Sequence, residues 1–207
     1  MPGTRQQKTS SKAGPKARPL LILASASPRR RALLSEHGYV FEVEVARGVE
    51  EIAPAHLSPG ETVLANARAK ARAVACAIDA RERRRSLVLG VDTEVFFEGQ
   101  VLGKPADMDG ALAMLSRLNG RTHEVYSGVW FAGPRGEAGF VEVTRVHFHR
   151  RTPAQLRRYL QRIGPLDKAG AYAAQNDEGE MIARVEGSYT NVIGLPMETL
   201  AAWLGPR

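Results

Sequence analysis

The sequence has little of what would assign it to several large classes of protein. Its one cysteine, Cys76, excludes a disulfide within the chain, and the alanine-rich helical stretch around it predicts a small buried side chain. No apolar run approaches the roughly 18 residues that a membrane-spanning helix needs, and no signal-peptide core follows the basic N-terminus. These absences favour a cytoplasmic location and argue against a membrane partner.

Common catalytic signatures are missing as well. The histidines are not spaced as metal ligands, as they would be in His-Glu-x-x-His, which argues against zinc chemistry. Neither the Gly-x-x-x-x-Gly-Lys-Ser/Thr pattern of P-loop proteins nor the Gly-x-Ser-x-Gly elbow of α/β-hydrolases occurs. Any phosphate site must therefore be built in another way.

The positive charge is concentrated at the N-terminus. Residues 1–18 carry +5 of the formal net charge of +7, which leaves +2 for the rest of the chain. Their Gly, Pro, Ser, Thr and Gln content predicts a disordered basic tail over residues 1–18, followed by one folded domain over residues 19–207. Because that domain is close to neutral, the composition argues against nucleic acid as a partner.

An arginine-rich turn follows the first apolar run. Residues 20–24 predict a short buried strand, and Ser27 and Pro28 suit the N-cap and first position of a helix that begins at once. The arginines at 29–31 then fall at the positive end of the helix dipole, where exposed cations each cost roughly 0.3–1 kcal/mol. A bound anion would reverse that cost, so the turn is a candidate phosphate site; the alternative is that the arginines simply extend into solvent.

Helical and strand-like patterns alternate along the chain. This alternation predicts an α/β fold with a mixed, twisted sheet flanked by helices, parallel at its start and antiparallel in a central hairpin. Capping boxes at 58–61 and 152–155 mark two helix starts. We predict strands at 39–45, 86–91, 94–97, 100–102, 123–131, 140–149, 181–185 and 190–195, and helices at 29–37, 59–84, 107–118, 153–163 and 196–204.

Three residues are candidates for chemistry on these patterns alone. Asp92 follows the apolar run 88–91, and a carboxylate where a strand ends can hold Mg²⁺ or orient water; the alternative is a structural Asp at a helix cap or hairpin start. Lys104, between glycine and proline, suits contact with a phosphate, although an ordinary surface lysine is the commoner explanation. Gln175 can read a base edge or be a satisfied loop residue. The set indicates a phosphorylated ligand with Mg²⁺ and leaves the reaction open.

Six ordered segments of the chain resemble the Maf family of nucleoside triphosphate pyrophosphatases. They are residues 23–30 (LASASPRR), 66–71 (NARAKA), 90–93 (GVDT), 103–105 (GKP), 167–175 (DKAGAYAAQ) and 186–196 (EGSYTNVIGLP). The resemblance implies two lobes around a central cleft, as in ITP pyrophosphatases. It also implies hydrolysis of a nucleoside triphosphate to the monophosphate and pyrophosphate with a divalent cation, Mg²⁺, Mn²⁺ or Co²⁺.

The resemblance also implies roles for individual residues. Asp92 matches the family's catalytic acid, which activates water or holds the metal, and Glu51 matches its acidic partner, with Glu50 left as the alternative. The remaining matches are substrate-binding positions. Arg30, Lys70 and Lys104 match triphosphate contacts, Arg29, Thr93 and Gln175 match positions linked to base preference, and Ser25, Ser27 and Lys168 complete the expected site.

The pairs Asp92-Thr93 and Lys168–Gln175 resemble the branch that acts on dTTP and UTP, with modified pyrimidine nucleotides as further candidates. The 7-methyl-GTP branch is expected to carry Asp-Gln at the first of these. Glu94, where an apolar residue is expected, departs from the family pattern, as does the run 176–178. The alternative function is a nucleotide-binding regulator of cell division that does not hydrolyse its ligand, and a homodimer is left open.

Overall fold

The computed structural model describes residues 19–52, 54 and 56–205, and within them seven strands form one mixed sheet. The strands are β1 (Leu20–Leu23), β2 (Phe41–Val43), β3 (Ser86–Phe97), β4 (Gln100–Leu102), β5 (Thr122–Gly133), β6 (Gly136–Phe148) and β7 (Ile182–Glu186). The helices are α1 (Pro28–Glu36), α2 (Pro59–Ala77), α3 (Ala80–Arg83), α4 (Met108–Leu118), α5 (Pro153–Ile163), α6 (Tyr189–Ile193) and α7 (Met197–Leu204). The predicted tail at 1–18 lies outside the described residues.

The sheet runs in the order β2-β1-β3-β5-β6-β7, with β4 paired to the end of β3. β1 pairs in parallel with both β2 and β3, whereas β3, β5, β6 and β7 pair antiparallel. The predicted fold class, a mixed α/β sheet flanked by helices, is therefore confirmed. The predicted central hairpin is present as β5 and β6. A second hairpin joins β3 and β4, and Glu98 and Gly99 have positive φ in its turn, as a two-residue hairpin loop requires.

Two groups of buried side chains form two lobes along the long strands, and a third packs α2 on β1 and β3 around Ile22, Ala71 and Val88. The first lobe packs β1, α1 and α7 on β3 and β5 around Leu34, Leu89 and Leu200. The second lobe packs α4 and α5 on the lower parts of β3, β5 and β6 around Leu115, Leu160 and Val146. β3 and β5 contribute to both groups, so the floor between the lobes is continuous sheet.

Helix α2 lies unusually close to the sheet because two glycines face it. A Cβ on Gly90 would fall 2.1 Å from the Ala67 carbonyl oxygen, and a Cβ on Gly128 would fall 2.3 Å from that of Val63. Glycine at both positions lets the backbone of α2 rest directly on β3 and β5. This contact brings the polar side chains of α2 to the middle of β3.

The prediction that a strand ends at Asp92 was wrong. β3 continues to Phe97, because β5 pairs with it without interruption from Val88 to Phe96. Parallel pairing with β1 stops at Leu89. Asp92 therefore lies beyond the end of β1, although it is still within β3. The residue is still at the carboxyl edge of the parallel part of the sheet, which is where an open α/β sheet offers a ligand site.

Three further local predictions were wrong. The helix expected at 59–84 breaks at Ile78, which is extended, because the Asp79 carboxylate accepts from the backbone N–H groups of Arg81 and Glu82 and starts α3. The strand expected at 190–195 is the helix α6, capped by Ser188 and ended by a glycine with positive φ. Cys76 is exposed, since it lies on the outer face of α2.

None of the helices in the described part of the chain is both long and apolar enough to cross a membrane.

Candidate active site

A cleft of about 440 Å³ opens between the two lobes. Its walls come from the turn after β1, the segment before α2, the middle of β3, the loop after β4 and the segment that follows α5. All of the residues predicted to form the site line this one cleft: Ser25, Ser27, Arg29, Arg30, Glu51, Lys70, Asp92, Thr93, Lys104, Lys168 and Gln175. Segments as much as 150 positions apart in sequence thus supply a single concave surface.

Two carboxylates share one lysine at the deep end of the cleft. The Lys70 Nζ lies 2.7 Å from Asp92 Oδ1 and 2.5 Å from Glu51 Oε1. Asp92 is only 4% exposed, whereas the Glu51 side chain is half exposed and closes the corner from the loop before α2. Of the two acids left open by the sequence, Glu51 lines the cleft, so the geometry favours it over Glu50.

The charge of Glu51 is fixed by its surroundings. Partial burial alone would raise the pKa of Glu51, but the hydrogen bond and charge of Lys70, helped by Lys104 and Arg30, lower that pKa below its ordinary value. Glu51 is therefore ionised at neutral pH. The corner presents carboxylate oxygens next to several cations, which suits a ligand that carries both phosphate groups and a bound metal ion.

Asn66 connects Asp92 to the loop that carries Glu51, and no role was predicted for it from the sequence. Its Nδ2 donates to Asp92 Oδ2 at 3.1 Å and to the Ile52 carbonyl at 3.0 Å, while its Oδ1 accepts from the Ile52 N–H at 2.9 Å. Asn66 precedes Lys70 by four residues on α2, so both side chains project from one face of the helix. That spacing was the available signal.

Arg30 is held in place by the protein on three sides. Its guanidinium donates to the carbonyls of Gly194 and Val91 at 2.9 and 3.0 Å, and to the hydroxyls of Ser25 and Thr93 at 2.9 and 3.1 Å. Burial lowers the pKa of Arg30 to about 10, an effect that Asp92 opposes, so the group remains cationic at neutral pH. A guanidinium has five N–H donors, so these contacts with described residues leave one for a ligand.

This network also explains the local sequence of the turn. Ser27 stands at the N-cap of α1, as predicted, but its hydroxyl makes no capping bond to the helix. The Ser25 hydroxyl is instead engaged by Arg30 and by the Ser27 N–H. Contact of Arg30 with triphosphate stays a prediction, and the structure shows in addition that its guanidinium joins the turn after β1 to β3 and to the end of α6.

Asp167 joins the two walls at the mouth of the cleft. Its carboxylate accepts from Arg29 of α1 at 3.1 Å and from the neighbouring Lys168, whose ammonium also donates to the Gly164 carbonyl. Although partial burial alone would raise it, the pKa of Asp167 is lowered by these two cations. Both cations were predicted to bind substrate, and in this structure both pair with this one carboxylate, which leaves the cluster with a net positive charge.

Glu94 lies on the same face of β3 as Asp92 but does not line the cleft. Burial, followed by the nearby charges of Asp92 and Glu51, raises the pKa of Glu94 to about 7. One of its carboxyl oxygens is buried with no hydrogen-bond partner among the described residues. Glu94, which departs from the family pattern, therefore adds a third carboxyl group close to Asp92 and Glu51.

The carboxylate oxygens of the cleft fit a hard divalent cation, but they would supply only some of its ligands. Among the described residues, no group of three or more His, Cys, Asp and Glu is arranged to hold a metal ion. The two carboxylates at the deep corner, Asp92 and Glu51, are nevertheless the kind of oxygen ligand that Mg²⁺ takes together with phosphate oxygens of a substrate.

The family model and the sequence relatives agree with each other. A family model described as Maf-like protein matches residues 20–206. A dTTP/UTP pyrophosphatase of Moorella thermoacetica is 47% identical over 179 residues, covering 86% of this chain and 89% of that protein. A dTTP/UTP pyrophosphatase of Akkermansia muciniphila is 45% identical over 180 residues, covering 86% and 92%. The solved structure of a HAM1 protein from Coxiella burnetii aligns with a TM-score of 0.39 at 15% identity, covering 63% of this chain and 73% of that one.

Proposed function

The chain belongs to the Maf-like protein family, and from that membership we propose that it hydrolyses dTTP and UTP to the monophosphate and pyrophosphate. The observation that carries the proposal is the cleft, in which a buried carboxylate and several cations face one space. A nucleoside triphosphate needs both, because its phosphate chain carries several negative charges and its hydrolysis needs a proton acceptor near the attacking water.

We assign different roles in the reaction to different residues of the cleft. We assign Asp92 as the group that orients water and accepts its proton as the water oxygen bonds to the α-phosphorus and the bond to the bridging oxygen breaks. Pyrophosphate leaves with that oxygen. Lys70, Lys104 and Arg30 stabilise the charge that accumulates on the phosphoryl oxygens, which is the largest contribution a protein makes to this type of transfer.

We propose Glu51 and Asp92 as the residues that hold the divalent cation the family implies, Mg²⁺, Mn²⁺ or Co²⁺. When bound, such an ion neutralises phosphate charge and polarises the phosphoryl oxygens. The Lys70 Nζ lies against both carboxylates, at 2.5 Å from Glu51 and 2.7 Å from Asp92.

The pyrimidine preference rests on three residues that line the cleft. Thr93, Arg29 and Gln175 line it at the positions that the resemblance links to base choice, and the relatives named above carry the dTTP/UTP designation. Thr93 is held by Arg30 and lies 2.8 Å from the Ser127 hydroxyl, so its position is fixed by the first lobe. Gln175 is exposed on the second lobe and free to meet a base edge.

The proposal is tested by assaying the protein with Mg²⁺ on dTTP, UTP, CTP, GTP and 7-methyl-GTP, with separation of all products. We expect equal amounts of monophosphate and pyrophosphate, fastest from dTTP and UTP, and loss of turnover with EDTA. Release of orthophosphate, or tight binding of nucleotide without turnover, would contradict the proposal. The second of these results would instead favour the non-hydrolytic regulator.

A further inference from the structure

We propose that Asn66 is a positioning residue that fixes Glu51 against Asp92, so that the two carboxylates act on one ligand. The inference rests on the proposed function, since it concerns the same corner of the cleft. Its observation is the set of three hydrogen bonds that one buried amide makes to a loop and to a strand.

The amide is fully committed to this linkage. Asn66 is 1% exposed, and both of its N–H donors and its oxygen have partners on the loop before α2 or on Asp92. The two bonds to Ile52 pair the side-chain amide with both polar atoms of that residue's backbone, as a neighbouring strand would. Glu51 precedes Ile52 directly, so its backbone is fixed as well.

Among the described residues, which leave out 53 and 55, the loop has few other contacts at this point. The Ile52 side chain is 46% exposed, so apolar burial does not anchor the segment. The Glu51 side chain is tied only by its ion pair with Lys70 among the contacts of the described residues, and a pair that is half exposed contributes little on its own. The position of Glu51 relative to Asp92 therefore depends mainly on Asn66.

The chemistry at this position requires an amide. The side chain must accept from one N–H and donate to a carbonyl and a carboxylate at the same time, which among natural side chains only Asn and Gln can do. An aspartate would keep the acceptor, but it would lose both donors and place a second carboxylate against Asp92. An alanine would release the loop and leave Asp92 Oδ2 without its donor.

The test compares Asn66→Ala with Asn191→Ala. Asn191 is a matched control, because it is also fully buried and its Nδ2 also donates to a backbone carbonyl and a side-chain oxygen, those of Val125 and Thr144. We measure amide hydrogen exchange at Ile52, Mn²⁺ binding by electron paramagnetic resonance, and kcat and KM for dTTP.

For Asn66→Ala we expect faster exchange at Ile52 and about 10–100-fold weaker Mn²⁺ binding and lower kcat, the usual effect of losing a residue that orients metal ligands. KM for dTTP should change by less than about threefold, because the phosphate-binding cations stay in place. Asn191→Ala should leave Ile52 exchange and Mn²⁺ affinity at wild-type values, whatever its cost in stability.

Wild-type behaviour of Asn66→Ala in all three measurements overturns the inference, as does an equal loss of Mn²⁺ binding in Asn191→Ala. If Asn66→Ala fails to fold, Asn66→Asp is tested instead, because it keeps the acceptor for the Ile52 N–H. We expect the same loss of kcat in this variant. A wild-type kcat would overturn the inference. Failure of the proposed function is distinguished by the wild-type protein itself, which would then turn over no dTTP.

Discussion

His123 shows how a single buried side chain ties the stability of the second lobe to pH. It is 2% exposed, its Nε2 lies 2.9 Å from the Tyr172 hydroxyl, and its ring packs edge-on against Phe148. Burial, with a smaller effect from His147, lowers the pKa of His123 to about 3. The ring is therefore neutral in the folded protein throughout the physiological range.

We predict that His123→Gln reduces the acid sensitivity of folding. An unfolded histidine takes up a proton below about pH 6.5. The folded state cannot do so until about pH 3. Stability therefore falls as pH falls through this window, by up to about 1.4 kcal/mol per unit from this residue. Urea unfolding at pH 6.5 and pH 5 measures it: the wild type should lose about 1.7 kcal/mol more than His123→Gln. Equal losses would contradict the assignment.

At the residue scale the sequence predicts the charged groups of the cleft better than the groups that arrange them. Arg30 and Lys104 could be singled out because cations suit a phosphate ligand, and Asp92 because a carboxylate suits Mg²⁺, whereas Lys70 was identified only through the family resemblance. The spacing of Asn66 and Lys70 shows only that they share a helix face; the roles of Asn66 and Asp167 could not be predicted, because their partners are a loop backbone and an arginine on another element. Such partners become known only when the chain is folded.

At the scale of elements, the placement of α2 decides whether the acidic corner exists. Lys70 and Asn66 reach Asp92 only because α2 rests on β3 and β5 at Gly90 and Gly128, where no side chain separates the backbones. A methyl group at either glycine would push the backbone of α2 away from the sheet.

We predict that Gly90→Ala destabilises the fold by about 2–3 kcal/mol or more, since overpacking costs about 1–3 kcal/mol and the clash here is with backbone. Gly60→Ala is the matched control within α2, because its Cβ would meet Val141 at an ordinary 3.6 Å. That variant should be neutral or stabilising by up to about 1 kcal/mol. Chemical denaturation measures both, and a Gly90→Ala protein as stable as Gly60→Ala would show that the close contact is not needed.

The elements that the sequence predicts well are those with local signals. Both capping boxes form as expected, at Ser58 with Glu61 and at Thr152 with Gln155. The continuity of β3 could not be predicted, because it depends on pairing with β5, about 35 residues later in the chain. The apolar run after Ser188 reads equally as strand or helix, and its cap and tertiary position decide for α6.

At the scale of the whole molecule, the cleft is the seam between two packed lobes on one sheet. β3 and β5 pass beneath it, so its floor is rigid, while Arg29 and Asp167 bridge its mouth from opposite walls. The ordered family segments predicted that distant residues would meet, and all of them line this cleft. The burial of Asp92 and the ion pair between Arg29 and Asp167 could not be predicted from the sequence, since both depend on how the lobes pack.

The most direct test of the catalytic role of Asp92 is the rate at which Asp92→Asn releases pyrophosphate from saturating dTTP with Mg²⁺ in the first turnover. Lys70 keeps its pair with Glu51 in this variant, so we expect a folded protein that still binds nucleotide. Loss of the proton acceptor should lower the rate by about 10²–10⁴-fold. A rate within tenfold of wild type, from a variant with unchanged melting temperature, would contradict the role of Asp92 and with it the reading of the cleft as the catalytic site.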